Sequence, residues 1–325
     1  MQVEAIFRAL ADPTRLRIVR LLGAMELAVG ELAQVLGQSQ PRVSRHVGIL
    51  CDAGLAERRR EGSWVFLRAA TSADSGSNLG ESIVSLLAEA EGEDAEFAKQ
   101  CDEDKRKLNA VRSVRQQTAE DYFTRHASEW DELRSLHSPD QLVEEALIAM
   151  LGEEPLGRVL DIGTGTGRMA ELFANGAEHI VALDKSLEML RVARAKLQHL
   201  PAQKVELVQA DFTDLPLANA SFDTVLLHQV LHFAQEPADA LAEAARVAKD
   251  GAHIVIVDFA AHAHEELREK HAHARLGFSD EQIDELLHEA GFALVQSKAL
   301  DGEKLVVKIW LGTRSASGKF SEGSA

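Results

Sequence analysis

Cysteine is nearly missing from this chain: Cys51 and Cys101 are the only two in 325 residues. Two isolated thiols cannot build a disulfide framework, and neither lies in a Cys-x-x-Cys pair of the kind that holds zinc. Also missing is any run of about 18 apolar residues, the length a membrane-spanning helix needs. Glu4, Arg8 and Asp12 stand where a secretory leader would carry its apolar stretch, so a cytoplasmic protein with no membrane attachment is expected. Basic charge is scarce overall, with 35 Lys and Arg against 52 Asp and Glu, a net of −17. Spread evenly, that balance would exclude a nucleic acid partner.

The charge is not spread evenly. Residues 1–71 hold ten Arg and no Lys against seven acids, a net of +3, and the rest of the chain carries −20. Only the N-terminal part suits a polyanion. There, Ile6 and Leu10, then Leu16, Val19 and Leu22, recur at helical spacing on either side of Asp12-Pro13, where Asp12 caps and Pro13 opens the second helix. Helices over 29–36 and 40–53 follow, closed by Gly37 and Gly54. Residues 55–60 and 64–68 read as two strands around Glu61-Gly62-Ser63. The pattern is a winged helix-turn-helix.

Ala9-Leu-Ala-Asp-Pro-Thr-Arg-Leu-Arg-Ile-Val-Arg-Leu-Leu22 and Ser39-Gln-Pro-Arg-Val-Ser-Arg-His-Val47 resemble the ArsR/SmtB family of winged-helix repressors over about residues 1–70. That resemblance implies double-stranded operator DNA as a partner and a homodimer, because paired half-sites need paired recognition helices. Gln40, Arg42, Ser44, Arg45 and His46 open the second helix of the motif, the part that enters a major groove. Arg58, Arg59 and Arg60 in the wing suit phosphates or the minor groove. Family members that sense metals do so through a Glu-Leu-Cys-Val-Cys-Asp-Leu stretch; here it reads Glu26-Leu-Ala-Val-Gly-Glu-Leu32, with Ala28 and Gly30 in place of the thiolates that soft metals need.

Residues 72–118 form a helical linker. Leu79, Ile83, Leu86 and Leu87 begin one amphipathic helix; a second, after Gly92, aligns Phe97, Cys101, Leu108 and Val111 along one side. Two uses are open for that side, a solvated spacer or a dimer-forming surface.

Residues 119–314 alternate strands with helices, which implies a Rossmann-like α/β domain built on a parallel sheet. Strands are predicted near 158–162, 179–184, 204–210, 222–228, 252–258, 292–299 and 304–312, the last two as an antiparallel hairpin at the sheet edge. Residues 315–325, rich in Ser and Gly, are predicted to be a disordered tail.

Asp161-Ile-Gly-Thr-Gly-Thr-Gly-Arg168 places a glycine-rich turn between a strand and a helix, the crevice where such sheets bind ligands. Arg168 breaks the dinucleotide fingerprint, and no Gly-Lys-Ser or Gly-Lys-Thr makes it a phosphate loop. Asp184 ends the second strand, where a carboxylate can accept from both ribose hydroxyls. Asp211 ends the third, where it can accept from an adenine amino group flanked by Met189 and Phe212. In combination these elements resemble class I S-adenosylmethionine methyltransferases, especially the small-molecule enzymes of ubiquinone and menaquinone biosynthesis. The resemblance implies S-adenosylmethionine or S-adenosylhomocysteine held by Asp161, Gly163, Thr164, Gly165, Asp184, Lys185, Met189, Asp211, Phe212 and His228.

Methyl transfer from a sulfonium needs a general base only when the acceptor carries a proton, and His228 and His232 are the candidates for that base. Their other role is packing or cofactor contact. Tyr122 and Trp130 lie in a stretch resembling the helix that covers the cofactor, as site walls or as anchors of that helix. No Asn-Pro-Pro-Tyr or Asp-Pro-Pro-Tyr run suits amino groups of bases, and the domain has no cysteine for cytosine C5 chemistry. A small molecule is left as the acceptor. His262, His264, His271 and His273 crowd one insertion, but residues two apart diverge on a helix, so no metal site is assigned there. Two functions compete: a regulator that also methylates a small molecule, and a repressor whose second domain only senses the cofactor.

Overall fold

The computed structural model describes residues 2–61, 64–70, 79–131, 140–152, 155–201, 203–302 and 304–315. It forms two compact units, Met1–Gln117 and Thr118–Ala325.

In the first unit α1 (Gln2–Leu10), α2 (Pro13–Leu22), α3 (Val29–Leu36) and α4 (Gln40–Asp52) precede a hairpin of β2 (Ala56–Glu61) and β3 (Trp64–Ala69). The local causes are those visible in the sequence. Asp12 accepts from the Thr14 and Arg15 N–H groups at 2.8 and 3.2 Å, with Pro13 in the first turn behind it. Gly37, closing α3, takes φ 64°, a left-handed conformation that costs glycine nothing. Unforeseen was β1 (Leu27–Ala28), two residues that pair antiparallel with Leu67 and Phe66 and give the wing a third strand, in the order β1-β3-β2. So short a run has no periodicity to read; its pairing with β3 creates it.

Two further helices follow, α5 (Leu79–Glu93) and α6 (Ala95–His126). Along α6 the aligned apolar side is not a bare surface. Leu108 and Val111 join the core of the winged helix with Ile83 and Leu87 of α5. Asp104, 3% exposed, accepts both Nε and Nη2 of Arg17 at 2.7 Å, and Arg20 reaches Glu91 at 2.6 Å. These residues are thus tied into the first unit by apolar contacts and ion pairs. Cys51 and Cys101 are free thiols, and burial pushes both up from the ordinary thiol value.

The second unit is a seven-stranded sheet of order β6-β5-β4-β7-β8-β10-β9, where β4 is Arg158–Ile162, β5 His179–Asp184, β6 Val205–Gln209, β7 Phe222–His228, β8 Ala248–Phe259, β9 Phe292–Asp301 and β10 Val306–Arg314. The first five in that order are parallel, and β10 is antiparallel to both neighbours. The hairpin is present but folds back so that β10 lies between β8 and β9, leaving only β9 at the edge. Successive strand residues point to opposite faces, so Leu160, Ile162, Val225 and Ile254 fill one core and Val159, Ile180, Leu226 and Val255 the other. Helices α7 (Asp140–Leu151), α8 (Arg168–Phe173), α9 (Leu187–Leu197), α10 (Pro237–Val247), α11 (Glu265–His271) and α12 (Asp280–Glu289) complete the unit. No described helix is long and apolar enough to cross a membrane. Residues 316–325 lie outside the described residues.

Candidate functional site

The turn after β4 is shaped by what glycine lacks. Gly163 and Gly165 both adopt positive φ, 68° and 54°, and a Cβ on Gly163 would lie 2.3 Å from Val230 Cγ2. At Gly165 a Cβ would meet the Trp130 indole nitrogen at 3.4 Å, so this bare stretch of backbone is roofed by a flat ring. Asp161, buried, fixes the turn by accepting from the Thr164 hydroxyl at 2.5 Å. The Thr164 N–H donates to the Leu183 carbonyl at 2.8 Å, which joins the turn to the neighbouring strand.

Asp184 closes β5 beside this turn. One of its oxygens accepts from the Gly165 N–H and the other from the Ser186 N–H, each at 2.8 Å. Burial is the main influence on it and pushes its carboxyl above the ordinary carboxylate range, against hydrogen bonds from the Ser186, Gly165 and Lys185 backbone. With the Lys185 backbone as a third donor, the carboxylate still has acceptor capacity, about four sites in all, for a further hydroxyl. Asp211, beyond the end of β6, is engaged more fully than expected. It accepts from the Thr213 N–H and hydroxyl at 3.0 and 2.8 Å and pairs with Lys185 at 3.0 Å. Burial pushes its carboxyl up, but these donors outweigh burial and hold it below its usual value. Lys185 therefore serves Asp211 directly. Met189 is buried in the first turn of α9, and Phe212 packs partly buried on the sheet core.

The residues present fit an adenosyl ligand: a cradle that a Cβ would fill, an acid at the tip of each of two adjacent strands, and apolar side chains beside the second acid.

The helix end that covers the turn is held by two clasps. Asp131 accepts from the Thr166 hydroxyl at 2.6 Å and pairs with Lys196. At the other end the Tyr122 hydroxyl lies 2.7 Å from Nδ1 of His271. Tyr122 thus holds this segment to His271, and Trp130 lies over Gly165. Burial, aided by the charges of His126 and Lys270, lowers His271 from the ordinary histidine value.

His228 ends β7 half-buried, whereas Gln229 after it is buried with φ 51°. His232 turns inward. Its Nδ1 lies 2.8 Å from Asp258 Oδ1, and its backbone N–H donates to Asp258 Oδ2 at 3.1 Å. Asp258 was not singled out in the sequence, though it was legible in principle: like Asp184, it stands near the carboxyl end of a parallel strand. The four insertion histidines do not share a helix. His262 and His264 precede α11, His271 ends it and His273 follows it. Among the described residues no group of three or more His, Cys, Asp or Glu is placed to hold a metal.

In the first unit Gln40, Arg42, Ser44 and Arg45 lie exposed along the start of α4, opposite Val43 and Val47 in the core. His46 departs from that face; its Nδ1 sits 3.8 Å from Asp12 and its side chain is mostly buried. Arg58 is exposed on β2. Arg59 and Arg60 follow it on the strand, and their side chains lie outside the described ones.

Comparison with known proteins agrees with this geometry. Residues 10–59 match a helix-turn-helix domain family and residues 160–256 a methyltransferase domain family. The arsenical resistance operon repressor of Escherichia coli is 48% identical over 64 residues, 19% of this chain and 55% of the repressor. Demethylmenaquinone methyltransferase of Renibacterium salmoninarum is 37% identical over 113 residues, 35% of this chain and 46% of that enzyme. The chain spans about half the length of the curated relatives it matches. Among solved structures, magnesium protoporphyrin IX methyltransferase from Synechocystis, with bound S-adenosylhomocysteine, aligns at TM-score 0.50 and 18% identity over 62% of this chain and all of its own, a likeness of fold.

Proposed function

We propose that this chain, an ArsR-type helix-turn-helix domain fused to a class I methyltransferase domain, is a DNA-binding transcriptional regulator whose second domain methylates a small molecule. The cofactor is S-adenosylmethionine, leaving S-adenosylhomocysteine. When bound, it supplies a methyl group on a positively charged sulfur, already activated for displacement. The chain's part is to hold and orient. Gly163, Thr164 and Gly165 let the amino-acid end approach the backbone, Asp184 takes the ribose hydroxyls, and Asp211 with Phe212 and Met189 receives the purine. Trp130 keeps water from the turn.

The observation that carries the reading is the contact of Asp184 with Gly165, 2.8 Å, which sets a carboxylate acceptor directly against the side-chain-free backbone of the turn. Methyl-labelled S-adenosylmethionine, incubated with the purified protein and a small-metabolite extract, is expected to pass its label into an extractable product. Retention of all label on the cofactor, with binding intact, would sink the catalytic reading.

A second reading has its own support. Ala28 and Gly30 stand where metal-sensing members of the resembled family carry thiolates, so if the protein answers a signal, the second domain is the better candidate to receive it. Helix α6 supplies side chains to the core of the first unit and, through Tyr122, to the cover of the cofactor turn in the second. In this reading cofactor occupancy tunes operator affinity. Operator DNA bound by a cytoplasmic homodimer is common to both readings.

A further inference from the structure

Cofactor binding leaves one buried pair unused. Asp258 is fully buried and accepts three N–H groups, from the His232 backbone at 3.1 Å, the Phe259 backbone at 2.8 Å and His232 Nδ1 at 2.8 Å. A carboxylate so surrounded by donors fixes the imidazole, since Nδ1 must carry the proton and Nε2 is left with its lone pair. Against His232 lies the flat ring of His273, centroids 4.2 Å apart. The same ring stacks on Phe259 at 5.8 Å with planes 18° apart and stands edge-on to Phe233 at 5.3 Å. His232 packs directly on Phe233 and Phe259, centroids 4.0 and 5.1 Å apart, and the three rings line the slot that the His273 ring occupies. Phe233 continues to Trp130, centroids 6.3 Å apart, and Trp130 roofs the cofactor turn.

The ring that fills the slot comes from a strained segment. Ala272 has φ 57°, a conformation alanine holds at a cost, and the Ala274 and Arg275 N–H groups clip onto the His232 carbonyl at 3.0 and 2.9 Å.

We propose that Asp258 and His232 form a proton-accepting dyad for an aromatic hydroxyl compound, whose ring takes the slot that His273 fills in this structure. The proposal rests on the reading that the domain methylates a small molecule. Imidazole chemistry narrows the acceptor to a group with an acidic proton, a thiol or an aromatic hydroxyl, and the aromatic walls of the slot favour the second. A carboxylate or a neutral amine offers its lone pair without a base, and an aliphatic hydroxyl is too weak an acid for imidazole to deprotonate. A phenolic hydroxyl ionises near pH 10, within about four units of imidazole at about 6.5. In the step, the O–H bond breaks, an Nε2–H bond forms and the electron pair stays on oxygen as the nucleophile. The Asp258 carboxylate offsets the imidazolium charge. His232 is the base, and Asp258 is a positioning residue that acts through it.

The test uses the full-length protein with S-adenosylhomocysteine and 4-nitrophenol as probe, at a pH below the probe's own ionisation. Bound probe is expected to show the visible absorption of the phenolate. Asp258→Asn is expected to reduce the bound phenolate by about tenfold or more, as loss of a base's partner should, with calorimetric affinity for S-adenosylhomocysteine unchanged. Nitrobenzene, which has no proton to give, is expected to bind wild type and variant alike. His273→Ala is expected to tighten probe binding several-fold by clearing the slot. Should Asp258→Asn fail to fold, seen as lost cofactor binding and lost thermal transition, His232→Gln supplies the same comparison. No phenolate signal in the wild type, an unchanged signal in the variant, or weaker binding by His273→Ala overturns the proposal. Loss of S-adenosylhomocysteine binding in the wild type would instead strike the cofactor reading on which it rests, and the phenolate signal is read separately.

Discussion

At the scale of the residue, the site depends on acids whose surroundings differ although their positions in the sequence look alike. Asp184 and Asp211 both follow parallel strands, yet Asp184 is pushed up mainly by burial while Asp211, paired with Lys185, is held down. The sign follows directly. A folded carboxyl raised above its unfolded value contributes stability below the unfolded value and loses it as pH rises through the folded one, so acidification does not unfold the empty domain through Asp184. Cofactor binding in the proposed site behaves oppositely, because ribose hydroxyls placed against Asp184 would donate to the charged form. Affinity for S-adenosylhomocysteine is therefore expected to fall on acidification, beginning above the ordinary carboxylate value of about 3.9. Calorimetry from neutral pH downward checks this; the Asp184→Asn variant is expected to bind weakly and without that dependence. Both acids were visible as strand-end carboxylates. The ion pair that separates them was not, because nothing in the order of residues says that Lys185 and Asp211 meet.

Among the elements, α6 shows how an amphipathic face finds its partner. Phe97, Cys101, Leu108 and Val111 mark the face in the sequence, but a face alone does not say what covers it. In the structure Leu108 and Val111 of that face share one core with residues of α2 and α5, and Asp104 is set against Arg17 beside them. Removing one partner of a buried pair leaves the other charge uncompensated, at a cost of about 3–5 kcal/mol. Asp104→Ala is thus expected to destabilise the winged helix by about 3 kcal/mol, read as a lower denaturant midpoint. A change within about 0.5 kcal/mol, the ordinary range for a surface site, would mean the pair is not buried in solution. The β10 strand teaches a similar lesson. A hairpin turn fixes that β9 and β10 pair, but which of them adjoins β8 is settled by sheet packing, and β10 takes the inner place with Trp310 fully buried.

For the whole molecule, two domains of opposite charge share one chain, +3 in the first 71 residues and −20 beyond them. Any influence of cofactor on DNA must pass between them as a free-energy coupling, and coupling between sites is reciprocal. With an operator selected from a random duplex library, saturating S-adenosylhomocysteine is expected to shift DNA affinity by about fivefold or more if the domain is a sensor. Arg42→Ala serves as the control, expected to weaken operator binding by about 1–3 kcal/mol with or without the ligand. Affinity that ignores the ligand ends the sensing reading and leaves methylation as the domain's work.

Local structure followed from residue order alone: where Asp12 and Pro13 start a helix, where glycines close one or leave a turn bare, and which strands must be buried on both faces. These are short-range consequences of side-chain shape and backbone freedom, and they were enough to fix the class of each domain. Meetings across distance came from the folded chain. Asp258 with His232, Tyr122 with His271, Asp131 with Thr166 and Asp104 with Arg17 are separated by 26, 149, 35 and 87 positions. A polar side chain can be buried only beside a partner, and it is the folding of the sheet and its covering helices that brings such partners together.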